Sequence, residues 1–506
     1  MKSLKIFFLV VSVILLIGCS NNNSEKQKPT VYLVGDSTVK NGQGDGAGGL
    51  WGWGDYIGQF LDTSEIEVEN HALGGTSSRT FQRQGLWKPV KDSLKKGDYV
   101  LIQFGHNDAG PINDDFRARG TIKGIGDESE EIDNMLTGEH EIVHSYGWYI
   151  RKLITDAKEE GAIPIIMSPI PRNNWKNGKV PRNNDSYGGW AKQVAKEENV
   201  TFIDLNEKMA MAIEKEGEDQ VTGKYFYRRD HTHTSARGAL LAASIVVEGI
   251  KASENKLRDY MLENPEVELP SKKNVFLIGD STVANNNDEE AVGWGVPIEQ
   301  YFDTTRVNVI NKARGGRSSR TFRNEGLWDA IKDSIKEGDF VLMQFGHNDG
   351  GDVTKLKHRA SLKGMSDSIQ EVAKPDGSKE EVHTYGWYMK KYISEAKEKG
   401  ARPIVFSHIP RNKWANGNVE RANDSYGKWA REAAEQENAL FIDLNDSIAK
   451  KYEEIGPEEV SSFFPKDHTH TNMEGAELNA FIIAKNLKQA KETGIRDYIF
   501  IKEKKE

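Results

Sequence analysis

The chain of 506 residues has a single cysteine, Cys19, so no disulfide can form within it. Its core, not a covalent framework, must hold the fold. Long hydrophobic runs are also missing beyond the first residues, and 29% charged residues with a mean hydropathy of −0.64 exclude a multi-span membrane protein. There is no excess of positive charge. The 68 Lys and Arg against 77 Asp and Glu give a formal charge of −9, which argues against duplex nucleic acid as a partner, because that binding is driven by neutralising phosphates. Apolar residues, at 37%, are sufficient for ordinary packed domains and exclude wholesale disorder, and a chain of this length predicts two to four domains.

The N-terminus gives the lone cysteine a use. Lys2 and Lys5 precede an apolar run over residues 6–17 that only Ser12 interrupts, followed by Gly18 and Cys19. The run is short for a membrane crossing, which takes about 20 apolar residues, and it has the pattern of an export signal. Leu16-Ile17-Gly18-Cys19 resembles a bacterial lipobox, in which the cysteine is lipidated and becomes the mature N-terminus. Residues 1–18 are therefore expected to be a lipoprotein signal peptide. Cys19 is expected to anchor an exported protein to a bacterial membrane, in the periplasm or at the cell surface. A plain signal peptide or an uncleaved anchor is the alternative. Residues 19–29, polar and Asn-rich, read as a tether.

Self-similarity organises the rest. Val34-Gly35-Asp36-Ser37-Thr38-Val39 returns as Ile278-Gly279-Asp280-Ser281-Thr282-Val283, and Gly74-Gly75 as Gly315-Gly316. Gln103-Phe104-Gly105-His106-Asn107-Asp108 returns as Gln344-Phe345-Gly346-His347-Asn348-Asp349, and Asp230-His231-Thr232-His233 as Asp467-His468-Thr469-His470. Five tryptophans of the first half (Trp53, Trp87, Trp148, Trp175, Trp190) match Trp294, Trp328, Trp387, Trp414 and Trp429, and Trp51 alone has no counterpart. A period of about 240 residues is far above that of solenoid repeats, so each copy should be a complete domain. The expected division is residues 30–263 and 274–506, joined by a polar linker over 264–273 that contains Pro265 and Pro270.

In the first copy, residues 31–34, 99–104, 163–167 and 201–203 are strand-like, with 66–68 a weaker candidate. Residues 148–158, 188–197 and 235–251 carry apolar side chains at helical spacing. This alternation predicts an α/β domain, a parallel sheet with helices on both faces, whose site lies beyond the carboxyl ends of the strands. The polar motifs begin where the apolar runs stop.

Ser37 closely follows the first strand. Alone it reads more readily as a helix cap. At the far end of the domain, Asp230 and His233 stand three residues apart, so the carboxylate can orient the imidazole and the imidazole can take the proton of Ser37. A turn motif, or a metal site through His231 and His233, is the alternative. Gly75, in a Gly-Gly turn, and Asn107, just past the third strand, can supply a backbone N–H and a side-chain amide to a tetrahedral oxyanion, although each also suits a turn.

Gly-Asp-Ser, Gly, Gly-His-Asn-Asp and Asp-His-Thr-His, in that order and in both halves, resemble the four blocks of the SGNH (GDSL-like) hydrolases. Within that superfamily, residues 31–38, the Ser77-Ser78-Arg79 segment and Phe104-Gly105-His106-Asn107-Asp108 most resemble rhamnogalacturonan acetylesterases. The resemblance implies two tandem flavodoxin-like α/β/α domains that use neither metal nor cofactor. It also implies Ser37 as nucleophile, with its own N–H, Gly75 and Asn107 as the oxyanion hole, and Asp230 and His233 completing the triad. The second copy matches with Ser281, Gly316, Asn348, Asp467 and His470.

Some positions depart from the family pattern. Gly316-Arg317-Ser318 keeps an arginine beside the oxyanion glycine, whereas Gly75-Thr76-Ser77 lacks it. Arg172 with Trp175, and Arg411 with Trp414, fall in loops expected near the cleft, where tryptophan can stack on sugar and arginine can pair with a uronate carboxylate; packing roles are equally open. His144 and His383 read as structural or pocket-lining, His106 and His347 as supporting residues behind the triads, and His231 and His468 as structural. The expected activity is a serine esterase that removes acetyl groups from an acetylated plant cell-wall polysaccharide, with rhamnogalacturonan foremost. The competing expectations are another ester (acetylxylan, peptidoglycan acetyl groups, a lipid) or a carbohydrate-binding lipoprotein with one or both copies inactive.

Overall fold

The structure is a computed structural model that describes residues 28–501, apart from 43, 45, 228, 229, 356–358 and 375. The signal segment, Cys19 and most of the tether fall outside the described residues. Among the described residues no helix is long and apolar enough to cross a membrane.

The first domain runs β1 (Thr30–Gly35), β2 (Glu67–Asn70), α1 (Ser78–Arg83), α2 (Trp87–Ser93), β3 (Tyr99–Gln103), β4 (Ser129–Asp133), β5 (His140–His144), α3 (Tyr146–Glu159), β6 (Ile163–Met167), α4 (Tyr187–Glu197), β7 (Thr201–Ile203), α5 (Leu205–Glu216), α6 (Glu218–Val221) and α7 (Ala236–Lys251). Its main sheet is wholly parallel in the order β2-β1-β3-β6-β7. Numbered within that sheet the order is 2-1-3-4-5, the flavodoxin-like arrangement.

The central strands are apolar on both faces because helices cover both. Along β1, Val31 and Leu33 enter a core under α5 and α7, while Tyr32 and Val34 enter one under α1 to α4. Leu101 and Ile102 on β3, and Ile165 and Ile166 on β6, divide in the same way. Burial of each such aliphatic side chain contributes about 1.5–3 kcal/mol, so these two cores dominate the stability of the domain. The edge strand sits slightly beyond the 66–68 read from sequence. Its alternating exposed and half-buried side chains give only a weak apolar signal. The antiparallel hairpin β4–β5 lies outside the main sheet, inserted between β3 and α3.

The second domain repeats this plan. Its elements are β8 (Lys273–Gly279), β9 (Val307–Asn311), α8 (Ser319–Asn324), α9 (Asp329–Lys332), β10 (Phe340–Gln344), β11 (Ile369–Ala373), β12 (Lys379–His383), α10 (Tyr385–Glu398), β13 (Arg402–Phe406), β14 (Trp414–Ala415), β15 (Asn418–Val419), α11 (Tyr426–Gln436), β16 (Leu440–Ile442), α12 (Leu444–Ile455), α13 (Pro457–Ser462) and α14 (Met473–Gln489). Its parallel sheet has the equivalent order, β16-β13-β10-β8-β9, and two cores again lie on its two faces. Strand β8 already begins at Lys273.

Candidate active sites

In a parallel sheet of this order the chain leaves β1 toward one edge and returns on the other side at β3, opening a crevice at the carboxyl ends of these two strands. Ser37 lies two residues past β1 and Asn107 four past β3, so both border that crevice. No helix follows Ser37. The chain turns instead, with the amides of Val39 and Lys40 donating to Asp36 O at 3.0 and 3.1 Å, and the serine is free of any capping duty. A buried chain of hydrogen bonds fixes the turn from below. Trp53 Nε1 donates to Gln103 Oε1 (2.9 Å), Gln103 Nε2 to Thr38 Oγ1 (2.6 Å), and Thr38 Oγ1 to Asp36 Oδ1 (2.7 Å). Trp294, Gln344, Thr282 and Asp280 form the same chain in the second domain.

The distant end of each domain is brought to this turn by an antiparallel bridge. Trp51 N donates to Thr234 O at 3.0 Å and Thr234 Oγ1 returns to Trp51 O at 2.7 Å; Val292 and Thr471 repeat the exchange at 2.7 and 3.0 Å. The residue before each threonine is the histidine. Ser37 Oγ lies 2.8 Å from His233 Nε2, and His233 Nδ1 lies 2.5 Å from Asp230 Oδ2. In the second domain Ser281 Oγ lies 2.9 Å from His470 Nε2, and His470 Nδ1 lies 2.8 Å from Asp467 Oδ2. Both aspartates also accept from backbone amides: Asp230 Oδ1 from Thr232 and His233, Asp467 Oδ1 from Thr469 and His470. Partial burial acts to raise these carboxyls, but the histidine and amide donors outweigh it. Asp230 is held well below the usual carboxylate range and Asp467 is lowered to about 2. An ionised carboxylate accepts the Nδ1 proton, which leaves Nε2 as the acceptor for the serine hydroxyl.

Gly75 and Gly316 take φ of +85° and +77°, a conformation open to glycine and poorly tolerated by other residues. Each turn is pinned by the helix that follows. The Ser77 hydroxyl accepts from Thr80 N at 3.0 Å while Ser77 N donates to Thr80 Oγ1 at 2.8 Å, a reciprocal cap that Ser318 and Thr321 repeat. The Gly74 Cα faces Ser37: a Cβ placed there would lie 3.5 Å from that of Ser37. Asn107 is buried and donates one amide proton to Thr76 O at 2.7 Å, and Asn348 donates one to Arg317 O at 3.0 Å. Each amide keeps a second N–H for a ligand.

A cavity of about 510 Å³ in the first domain is walled by Gly105, His106, Pro169, Arg172, Tyr187 and Trp190, with none of Ser37, Asp230 and His233 in its lining. One of about 430 Å³ in the second domain has His347, His408, Arg411, Arg421 and Tyr426 among its walls. Arg172 donates to Thr232 Oγ1 and, at 3.5 Å, to His106 O, so it joins the triad loop to the cavity; Arg411 donates to His347 O at 3.3 Å. Burial pushes the His106 and His347 imidazoles down to about 4 and about 3, so both are neutral. Trp175 and Trp414 stand apart from the cavities. Each donates its indole N–H two residues back, to Asn173 or Asn412, and leans on the core. Arg317 folds onto Glu325 at 2.9 Å and onto Gly315 O. His144 and His383 stack on Trp148 and Trp387 with ring centroids 3.9 and 3.7 Å apart, a packing arrangement. His231 and His468 are exposed. Among the described residues no group of three or more His, Cys, Asp or Glu is placed to hold a metal ion.

Two features of the site escaped sequence reasoning. One is the Trp–Gln–Thr–Asp chain beneath Ser37 and Ser281, whose signal was the recurrence of Gln103 and Trp53 as Gln344 and Trp294. The other is a buried arginine, Arg79 or Arg320, bound through two nitrogens to Glu141 or Glu380 at 2.6–2.7 Å. Arg79 Nη1 also donates to Ile112 O (2.7 Å) and Gly120 O (2.8 Å). It thereby ties the loop after β3, which carries Asn107, to the β4–β5 hairpin.

The chain is similar in sequence to known proteins. A family model described as GDSL-like Lipase/Acylhydrolase matches residues 33–241 and again 277–478. A rhamnogalacturonan acetylesterase of Emericella nidulans is 35% identical over 232 residues, 46% of this chain and 89% of its own length. A probable rhamnogalacturonan acetylesterase of Bacillus subtilis, YesY, is 33% identical over 224 residues, 44% of this chain and 92% of its own. Among solved structures, the Bacillus subtilis protein YxiM matches with a TM-score of 0.36 at 29% identity, covering 43% of this chain and 57% of that one. In both of its halves the chain belongs to the GDSL-like lipase/acylhydrolase family, and it is a carboxylic ester hydrolase.

Proposed function

We propose that the protein removes O-acetyl groups from an acetylated plant cell-wall polysaccharide, rhamnogalacturonan, with one catalytic centre in each half. The observation that carries this reading is the serine–histidine–aspartate contact formed twice, at Ser37, His233 and Asp230 and at Ser281, His470 and Asp467, each beside a glycine turn and an asparagine amide. The similarity to two proteins named as rhamnogalacturonan acetylesterases supports the choice of polymer.

The steps follow from the hydrogen-bond directions. Ser37 Oγ attacks the acetyl carbonyl as its proton passes to His233 Nε2, and Asp230 stabilises the imidazolium. The oxyanion is held by the N–H groups of Ser37 and Gly75 and the free amide proton of Asn107; one such donor is worth about 10² to 10³ in rate. Collapse breaks the bond to the sugar oxygen, which takes the proton from Nε2 and leaves as an alcohol. Water, deprotonated by the same histidine, then attacks the acetyl-serine and releases acetate. Ser281, Gly316, Asn348, Asp467 and His470 perform the same steps in the second centre. The reading also takes Cys19 as a lipid anchor for an exported protein, and Arg172 and Arg411 as sugar-contacting residues at the cavity mouths.

The test is acetate release from acetylated rhamnogalacturonan by Ser37→Ala, Ser281→Ala and the double variant. Each single variant is expected to keep part of the activity and the double variant none. Full activity in the double variant refutes the assignment.

A further inference from the structure

Arg119 stands at the mouth of the first centre without a carboxylate. It follows Ala118, a non-glycine residue with φ of +39° that is fully buried. A backbone in this region persists only where its surroundings impose it, and such sites cluster at ligand clamps. Here the surroundings are explicit. Asp114 Oδ1 accepts the amides of Arg117 and Ala118 at 2.6 and 2.5 Å, Gly120 N donates to Pro111 O at 2.8 Å, and the buried Arg79 donates to Gly120 O. The turn so fixed lays the Arg119 stem along Gly110, 3.7 Å from where a Cβ on that glycine would sit, and brings Nη1 within 3.0 Å of Gly75 O. The guanidinium thus spans the loop of Asn107 and the turn of Gly75, the two loops that border the reacting carbonyl.

Of its five N–H donors only the one to Gly75 O has a partner among the described residues. Arg79, Arg182, Arg320, Arg323 and Arg421, also buried or half-buried, each hold a carboxylate. Arg359 repeats the placement in the second domain. Its Nη1 lies 3.9 Å from the Cβ position of Gly316, the next residue's carbonyl accepts from Arg320 at 2.8 Å, and no ion pair forms among the described residues. A half-buried cation loses hydration that only an anionic partner restores well, and the absent partner is at the substrate mouth in both copies. The chain's charge of −9 gives no general attraction for an acidic polymer, so a local cation is needed to receive one.

We propose that Arg119 and Arg359 form an anion-binding subsite in each centre that receives the carboxylate of a uronic acid residue at or beside the acetylated sugar. This rests on the reading of the substrate as an acetylated pectic polymer. The test uses Arg119→Gln and Arg119→Lys in a Ser281→Ala chain, and Arg359→Gln in a Ser37→Ala chain. Each is assayed on acetylated rhamnogalacturonan oligosaccharides and on the same oligosaccharides with their carboxyls reduced to primary alcohols. The ratio of kcat/KM for the acidic substrate to that for the reduced one is expected to fall roughly tenfold to hundredfold in the Gln variants, mainly through KM. The Lys variant should recover part of it. KM for the acidic substrate should rise with ionic strength in the single-centre parent, and KM for the reduced one should not. Equal losses on both substrates would assign the arginine to holding the Gly75 turn and overturn the subsite, as would an unchanged ratio or a salt-independent KM. If the parent releases no acetate from the acidic oligosaccharides while hydrolysing p-nitrophenyl acetate, the pectic reading fails and the subsite with it.

Discussion

Glu141→Gln tests whether the site loops are held by a buried ion pair. Arg79 is fully buried and the Glu141 side chain is 12% exposed; the pair shares two short charge-assisted hydrogen bonds, and Asn134 Nδ2 adds a third donor to Glu141 at 2.9 Å. Burial acts to raise the Glu141 carboxyl, yet the guanidinium and Asn134 hold it below its ordinary value, so the pair is ionised. The glutamine keeps the shape but turns an amide group toward the guanidinium and leaves a buried positive charge without compensation. Breaking a buried pair in this way costs about 3–5 kcal/mol. For a domain of this size each kcal/mol lowers the midpoint of thermal unfolding by about 2–4 °C, so the expected drop is roughly 6–20 °C. The assay is heat inactivation of esterase activity in a Ser281→Ala chain, where only the first centre reports, and in a Ser37→Ala chain, where only the second does. The first centre should lose its activity at the lower temperature. The second should not follow, since it is built on Arg320 and Glu380. A fall below about 2 °C for Glu141→Gln would refute the argument.

Two other outcomes follow from the same geometry. Asn107→Ala in the Ser281→Ala chain should lower kcat about 10² to 10³-fold with KM little changed, read by steady-state hydrolysis of p-nitrophenyl acetate; a loss confined to KM would remove Asn107 from the oxyanion hole. Burial pushes the Asp108 carboxyl up to about 7, against a value near 4 in the unfolded chain, even though it accepts from the amide and hydroxyl of Ser78. The folded state therefore binds the extra proton between these values, and its stability falls as pH rises from about 4 to about 7, by the order of 4 kcal/mol for this group. Asp108→Asn keeps an acceptor for Ser78 and removes the titration, so the urea midpoint of the first domain should vary less between pH 5 and 8 than in the parent. Identical slopes would exclude Asp108 as the cause.

The sequence made the sheet legible because β1, β3 and β6 are buried on both faces and so read as unbroken apolar runs. The hairpin β4–β5 did not register: Glu130, Glu131, Asp133 and Glu141 leave one buried position on each strand, Ile132 and Val143. The short helices α1 and α2 were passed over for want of length. The triads were legible because each of their residues recurs in the second half at a steady distance. Arg119 was not. Its role depends on a left-handed turn at Ala118 and on a loop tied by Arg79, and neither has a local signature in a run of Phe116, Arg117, Ala118 and Arg119 that looks like solvated surface. Trp175 and Trp414 read two ways in the sequence, as sugar-stacking or as packed aromatics. Tryptophan near a cleft suits sugar stacking, but both donate their N–H groups locally and pack inward.

The duplication lets the two halves act as controls for each other. The Trp–Gln–Thr–Asp chain, the arginine–glutamate pair and the serine–histidine contact recur with distances that agree to within about 0.3 Å, and all lie in places where one missing partner leaves a buried polar group unpaired. The rims lack that constraint, and they differ. Leu73, 42% exposed beside the oxyanion turn, corresponds to Arg314, and Thr76 to Arg317. Pro169 in the first cavity corresponds to His408 in the second. Where a position is exposed, as Leu73 is, substitutions usually change stability by less than about 0.5 kcal/mol, so little in the fold opposes them. At the edge of a catalytic centre they change what can approach. Two centres with the same interior and different rims are suited to the same bond in two chemical settings, the first against a more apolar neighbour and the second against a more polar or acidic one. On this argument the single-serine variants should rank a panel of acetylated oligosaccharides in different orders, while their rates on a small neutral ester remain alike.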